Sequence, residues 1–244
     1  MVVNNNNNSN NLSTEALSQL AQAKDNKYKL LYYPFHGVVT SLRAMFAISD
    51  ADYTFIYPED WKVQKPTTPF GSMPVLYETT ATGETLELAE LSVLEYYIGQ
   101  KYGWVGDNIW ENNLVKMYHS SSQAVFDKLV TTVVRAPKEN YDQMLGIYIS
   151  SIVPEWAEYH ERALKANGSN GHYVGNKLTI ADIKTATILD NLISLTEDRI
   201  LSREKTPAIM AVYDNLEKLP KYAAWKASEN WKAYDDLNKN LFKF

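Results

Sequence analysis

The residues of this chain best suited to chemistry fall in one run, residues 61–76, which reads W-K-V-Q-K-P-T-T-P-F-G-S-M-P-V-L. Trp61 and Lys65 stand four residues apart and together offer N–H donors and a positive charge, a set that suits a carboxylate. Pro74 precedes the apolar pair Val75 and Leu76 at the start of a strand-like segment, a setting in which a cis X-Pro bond is favoured. Such a bond would turn the amide N–H and carbonyl of Met73 outward at the strand end, where they could pair with the backbone of an extended peptide. The chemistry suggested is recognition of a small acidic peptide. An ordinary trans turn proline and a core-filling Trp61 suit the same residues, and the run by itself leaves both readings open.

Composition narrows what else the chain does. With 244 residues and 22% charged residues it has the make-up of a soluble protein of one large or two small domains. The net charge of -5 gives no basic field for nucleic acid, and no apolar run approaches membrane-spanning length. Residues 1–11 are polar and Asn-rich where a secretory signal needs an apolar segment, so a cytoplasmic protein is expected. There are no cysteines, which excludes a disulfide framework, thiolate metal ligands and a thiol nucleophile of the chain's own. Four histidines, His36, His119, His160 and His172, are scattered singly, so no metal is expected.

The elements that must position the run are legible in outline. Residues 1–26 read as a disordered tail, with helical spacing of Ala and Leu that allows a short helix over 13–23. Residues 28–33 (Y-K-L-L-Y-Y) predict a buried strand, a helix begins near Val39 with Leu42, Met45 and Phe46 on one face, and residues 53–57 return to strand. This is a βαβ unit with a parallel pair. Residues 75–78 and 84–88 predict an antiparallel hairpin, followed by a helix over 89–102. Beyond residue 107 the pattern is helical throughout: residues 109–134, then 139–165 with a bend at Pro154. A capping box, Thr179 with Asp182, starts a helix that carries Ile183, Ala186, Ile188, Leu189 and Leu192. Two shorter helices, 207–218 and 220–228, complete a bundle, and residues 232–244 read as a charged, solvated end whose last residues, 241–244, would dock over a pocket.

In this order the motifs resemble the cytosolic glutathione transferase family, most nearly its sigma-type branch. Y-K-L-L-Y-Y-P-F-H-G at the first strand is similar to the family's opening, the 61–76 run matches over its length, and L-E-L-A-E and G-N-K-L-T-I-A-D follow in family order. The resemblance implies an α/β plus all-α chain: a thioredoxin-like, glutathione-binding domain over 27–104, a helical domain with an electrophile pocket over 108–244, and a homodimer. It implies an enzyme that conjugates the glutathione thiolate to small apolar electrophiles in detoxification, with glutathione as co-substrate and no metal. Tyr32 falls at the catalytic tyrosine, next to Tyr33. Trp61 and Lys65 fall where the glycine carboxylate of glutathione is held, Ser72, Met73 and Pro74 where the cysteinyl unit pairs, and Glu90 and Leu91 where the γ-glutamyl carboxylate meets a helix start.

Departures from the family pattern set up an alternative. Leu91 replaces a serine whose hydroxyl would bond the γ-glutamyl carboxylate, and Val38 replaces an arginine near the catalytic tyrosine, with His36 two residues away at another arginine position. A non-catalytic, transferase-fold carrier or interaction module with a degraded glutathione site is the competing reading. Asp127 reads as a solvated acid, and Tyr118, Phe126 and Trp225 suit core as well as pocket.

Overall fold

Lysines alternate with Tyr28 and Leu30 in β1 (Lys27–Leu31), so one face of this strand turns to solvent while Tyr28, Leu30 and Leu31 are buried. The structure, a computed structural model, describes residues 14–81, 83–197 and 199–242. In it β1 pairs in parallel with β2 (Asp52–Ile56), and antiparallel with β3 (Val75–Thr79), which returns as β4 (Thr85–Ala89). The strand order is β2-β1-β3-β4, with Leu30 opposite Leu76 and Leu76 opposite Leu88 at the centre of the sheet. A 3-10 turn (Gly37–Val39) and α2 (Thr40–Ile48) make the β1-to-β2 crossover, burying Leu42, Met45 and Phe46, and α4 (Leu91–Tyr102) follows β4. This is the expected thioredoxin-like βαβ-ββα domain. One short element was not foreseen: α3 (Trp61–Gln64), started by the Asp60 carboxylate, which accepts from Lys62 N–H at 2.9 Å, and continued as a 3-10 turn over Lys65–Thr67.

The second half is helical, as expected, with two local differences. α5 (Ile109–Lys128) runs into a π-helical stretch, Leu129–Val134, where the Thr131 hydroxyl donates to the Asp127 carbonyl at 2.7 Å and competes with the helix's own bonds. The helix expected over 139–165 is divided into α6 (Tyr141–Ile147), a wider π turn (Tyr148–Ile152) and α7 (Val153–Ala166). Pro154 lacks an N–H for the preceding turn, and the wider turn accommodates its ring. α8 (Ile180–Thr196) begins at the capping box, with Thr179 N–H donating to Asp182 Oδ2 at 2.8 Å. It packs against α5, α2 and α9 (Pro207–Glu217) and is buried on nearly every side.

The chain's later residues correct one expectation. After α10 (Pro220–Ala227), the stretch read as a solvated end forms α11 (Glu229–Phe242). Glu229, Lys232 and Asp236 are exposed, while Tyr234 and Asn238 are buried. The docking expected of residues 241–244 falls on side chains outside the described residues. At the other end, Thr14–Gln22 forms α1, and residues 1–13 also lie outside them.

Candidate active site

Tyr32 directly follows β1, and its backbone N–H still donates to Ile56 O at 3.2 Å, so the sheet fixes where this residue sits. The side chain is 8% exposed, packed 5.6 Å from the Phe35 ring and 6.0 Å, edge-on, from Tyr33. Its hydroxyl lies under Gly37, whose φ is +48°. A Cβ added there would stand 2.8 Å from Tyr32 Oη and 2.7 Å from Phe35 Cε2, so this turn excludes any side chain. Burial raises the Tyr32 pKa, while the backbone of Val38, which hydrogen-bonds the hydroxyl, and the nearby Arg43 charge pull it down. The net rise keeps the phenol protonated at neutral pH, ready to donate a hydrogen bond.

The cation near this tyrosine is Arg43, which sequence reasoning passed over as an ordinary residue of α2. Its side chain is buried, donating to Phe35 O at 2.6 Å and Tyr33 O at 2.9 Å, with the guanidinium 4.2 Å from the Tyr234 ring centre. Arg43 therefore clamps the loop beyond Tyr32 from beneath. His36 does not supply the charge absent at Val38. Burial, with the Arg43 charge beside it, lowers its pKa to about 3, and its neutral ring donates through Nε2 to Trp231 O at 3.1 Å. Asn238 of α11 closes the same loop from above, accepting from Gly37 N–H at 3.1 Å.

Beside this loop lies a cleft of about 380 Å³ lined by Val38, Ser72, Met73, Pro74, Glu90, Leu91, Ser92, Gln123 and Asp127. The Met73–Pro74 peptide is cis. Glu90, at the cap of α4, takes φ 71° and ψ 111°, a conformation uncommon for a residue with a side chain, and its carbonyl accepts from Val93 and Leu94. At the first turn of α4 the N–H groups of Leu91 and Ser92 precede the helix's own bonding pattern, so the cleft wall carries donors and the positive end of a helix dipole. Of the residues expected to hold a tripeptide, Ser72, Met73, Pro74, Glu90 and Leu91 are thus brought together. Tyr33, Trp61 and Lys65 stand outside this lining: Tyr33 stacks on Phe35 at 5.8 Å, Trp61 is half-buried at the start of α3, and Lys65 is exposed with its stem along Gly71. Tyr32 is also outside the lining; its hydroxyl is hydrogen-bonded by the backbone of Val38, which does line the cleft. Gln123 and Asp127, from α5, were not foreseen there.

Between the two domains, beside Gly37 and Val38, a second space holds only about 10 Å³. It is walled by Thr40, Ser41, Phe126, Lys184, Thr187 and Asn191. Lys184 is 2% exposed and donates to Ser41 Oγ at 2.7 Å and Glu95 Oε1 at 2.8 Å, while Glu95 Oε2 meets His119 Nε2 at 2.7 Å. Burial would raise the Glu95 pKa, but the Lys184 and His119 charges prevail and hold it well below the usual carboxylate range. The three aromatics left open between pocket and core divide: Phe126 is buried and borders this space, Tyr118 stacks on Tyr173 at 4.7 Å, and Trp225 packs 5.6 Å from Tyr222. Among the described residues no group of three or more metal-ligating side chains is present, and no helix is long and apolar enough to cross a membrane.

A thioredoxin-like domain followed by a helical domain, with a cis-proline cleft at their junction, defines a glutathione-transferase-like class of protein. Residues 124–229 match the family model for the glutathione S-transferase C-terminal domain. The chain is 26% identical over 209 residues to glutathione S-transferase 4 of Caenorhabditis elegans, covering 82% of this chain and 96% of the relative. It is 25% identical over 201 residues to glutathione S-transferase S1 of Drosophila melanogaster, covering 81% and 77% respectively. Its fold is similar to that of prostaglandin synthase D of Nilaparvata lugens, with TM-score 0.70 and 25% identity over 83% of this chain and 98% of that one. A sigma class glutathione S-transferase of Fasciola hepatica has TM-score 0.70 at 19% identity, over 84% of this chain and 99% of that one. Over most of its length the chain is thus similar to glutathione S-transferases, and its helical half matches that family's C-terminal domain.

Proposed function

We propose that this protein, a sigma-like member of its family, conjugates glutathione to small electrophiles in cytoplasmic detoxification, with Tyr32 as the donor that holds the glutathione sulfur as thiolate. The observation that supports this reading is the 380 Å³ cleft in which Ser72, Met73 and Pro74 face the start of α4. In this assignment the N–H groups of Leu91 and Ser92 take the γ-glutamyl carboxylate, Glu90 pairs with the γ-glutamyl ammonium, and the Met73 backbone pairs with the cysteinyl unit. Ser72 contacts the tripeptide, Trp61 and Lys65 reach the glycine carboxylate, and Tyr33 backs Tyr32. The thiol proton goes to solvent, and the protonated Tyr32 hydroxyl donates to the sulfur. The sulfur then forms a bond to the electrophilic carbon as the leaving group departs with its electron pair. Calorimetric titration with glutathione, run beside an aryl-halide conjugation assay, tests the proposal. Micromolar to low-millimolar binding with turnover supports it, and no binding at high glutathione overturns it.

The second reading, a non-catalytic carrier or interaction module, draws on the missing hydroxyl at Leu91 and the burial of Tyr32. The 10 Å³ space between the domains weighs against a carrier of bulky apolar ligands, because it has room for about one water. The same space directs the electrophile to the cleft itself. In either reading we propose a homodimer, its second copy seated on the outer groove of α4 and α5, a cavity of about 420 Å³ that includes Leu88, Val93, Tyr96 and Tyr97. Val93 is half exposed on this face, and Val93→Glu is expected to shift sedimentation equilibrium from dimer to monomer.

A further inference from the structure

The cleft carries a charge pattern that concerns the second substrate. Glu90 and Asp127 are the charged residues among those lining it, and both are acids. They stand on different walls, Glu90 at the start of α4 in the thioredoxin-like domain and Asp127 in α5 of the helical domain. Gln123, one turn before Asp127, donates from Nε2 to Asp127 Oδ1 at 2.6 Å and so fixes the carboxylate's orientation. Lys65 lies outside the lining, and the Lys184 ammonium is turned to Glu95 and Ser41. An apolar substituent that tried to extend past Val38 would meet the 10 Å³ space walled by Thr40, Ser41 and Lys184. A group carried on the glutathione sulfur is therefore kept in the cleft, beside the Asp127 carboxylate, Glu90 being paired with the glutathione ammonium in the transferase reading. The potential of Asp127 favours a cation and repels an anion.

Resting on the transferase reading above, we propose that Asp127 is a specificity-determining residue, selecting second substrates that carry a protonated amine near the reacting carbon over carboxylate-bearing ones of similar size. The substrate class is thus a small, polar, cationic electrophile rather than an apolar or anionic one. Asp127 takes no part in the bond-making step. Its role is to set the sign of charge that the product's sulfur substituent can bear.

The test is calorimetric titration of the full chain with S-(2-aminoethyl)glutathione, S-(carboxymethyl)glutathione and glutathione itself, at low and high salt. The two conjugates have similar length and opposite end charge. The aminoethyl conjugate is expected to bind about ten-fold tighter at low salt, with the preference shrinking as salt screens the cleft. Asp127→Asn, checked for folding by circular dichroism, is expected to reduce the preference to about three-fold or less. Equal affinity for the two conjugates, or a preference unchanged in Asp127→Asn, overturns the inference. So does an equal loss of affinity for all three ligands in Asp127→Asn, which would assign this carboxylate to glutathione's own ammonium. If glutathione binds and the conjugates are not distinguished, this inference alone falls; if none of the three binds, the transferase reading falls with it.

Discussion

Replacing Leu91 by serine puts a hydroxyl on the first residue of α4, at the position where the proposed γ-glutamyl carboxylate meets the helix. The substitution has two separable effects. Leu91 is half-buried and packs against the core, so removing its side chain forfeits about half of the roughly 2 kcal/mol that full burial of a leucine contributes. The resulting loss of about 1 kcal/mol would be read as a lower denaturation midpoint. The hydroxyl gains a hydrogen bond to a charged group, about 1.5–3 kcal/mol, which is roughly ten- to hundred-fold in affinity. Titration of wild type and Leu91→Ser with glutathione measures the second effect. The control is 4-aminobutyryl-Cys-Gly, which lacks the γ-glutamyl carboxylate and is expected to bind both proteins alike. If the variant folds and its affinity for glutathione does not rise, or if both ligands gain equally, the γ-glutamyl carboxylate does not sit at the start of α4.

Tyr32→Phe removes the donor to the sulfur and is expected to lower kcat/KM in the aryl-halide assay by about ten- to hundred-fold, the equivalent of a lost charge-assisted hydrogen bond; an unchanged rate would remove Tyr32 from the chemistry. Gly37→Ala sets a methyl group against Tyr32 Oη and Phe35 in a left-handed turn, and should cost about 1–3 kcal/mol in a denaturant titration while lowering kcat. Lys184→Met leaves Glu95 buried without its ammonium partner, a loss of about 3–5 kcal/mol at neutral pH, much of it recovered when Glu95→Gln is added. The pH dependence follows from the lowered Glu95 pKa. In wild type its contribution is fully present above the unfolded value, about 4.3, and is lost as pH falls toward the folded value. In Lys184→Met the defect should narrow on acidification, because protonation removes the unpaired charge. A pH-independent gap between the two proteins would contradict the assignment.

The sequence carried those parts of the molecule that are written in local patterns. The aromatic and apolar run of the first strand, the proline before Val75 and the Thr179–Asp182 cap each specify their element within a few residues; the proline and the cap stand where expected, and the strand expected over 28–33 runs over Lys27–Leu31. The family motif likewise anticipated Ser72, Met73, Pro74, Glu90 and Leu91 as neighbours, because a short hairpin leads from one group to the other. What escaped were pairings between distant segments. Asn238 looks like one more polar residue in a charged stretch until its amide meets Gly37, 201 residues earlier. Lys184 sits in an apolar helix with no local sign of Glu95, and Arg43 gives no hint that Tyr33 and Phe35 will turn their carbonyls to it. Asp127 reads as solvated because it is in fact exposed; only the cleft's other wall gives that exposure a direction.

The seating of α11 also has a consequence for biosynthesis. Translation delivers the loop after β1 early, yet the acceptor for Gly37 N–H, the carbonyl that meets His36 and the ring that covers Arg43 all arrive with α11. Until that helix leaves the ribosome, Arg43 of the nascent thioredoxin-like half has its Tyr33 and Phe35 carbonyls but not the Tyr234 ring that covers it, and the His36 imidazole lacks its carbonyl acceptor. The tyrosine's surroundings therefore become complete only after α11 has been synthesised, and messages that stop short of residue 229 would yield chains with both domains largely made and the loop after β1 without its α11 contacts.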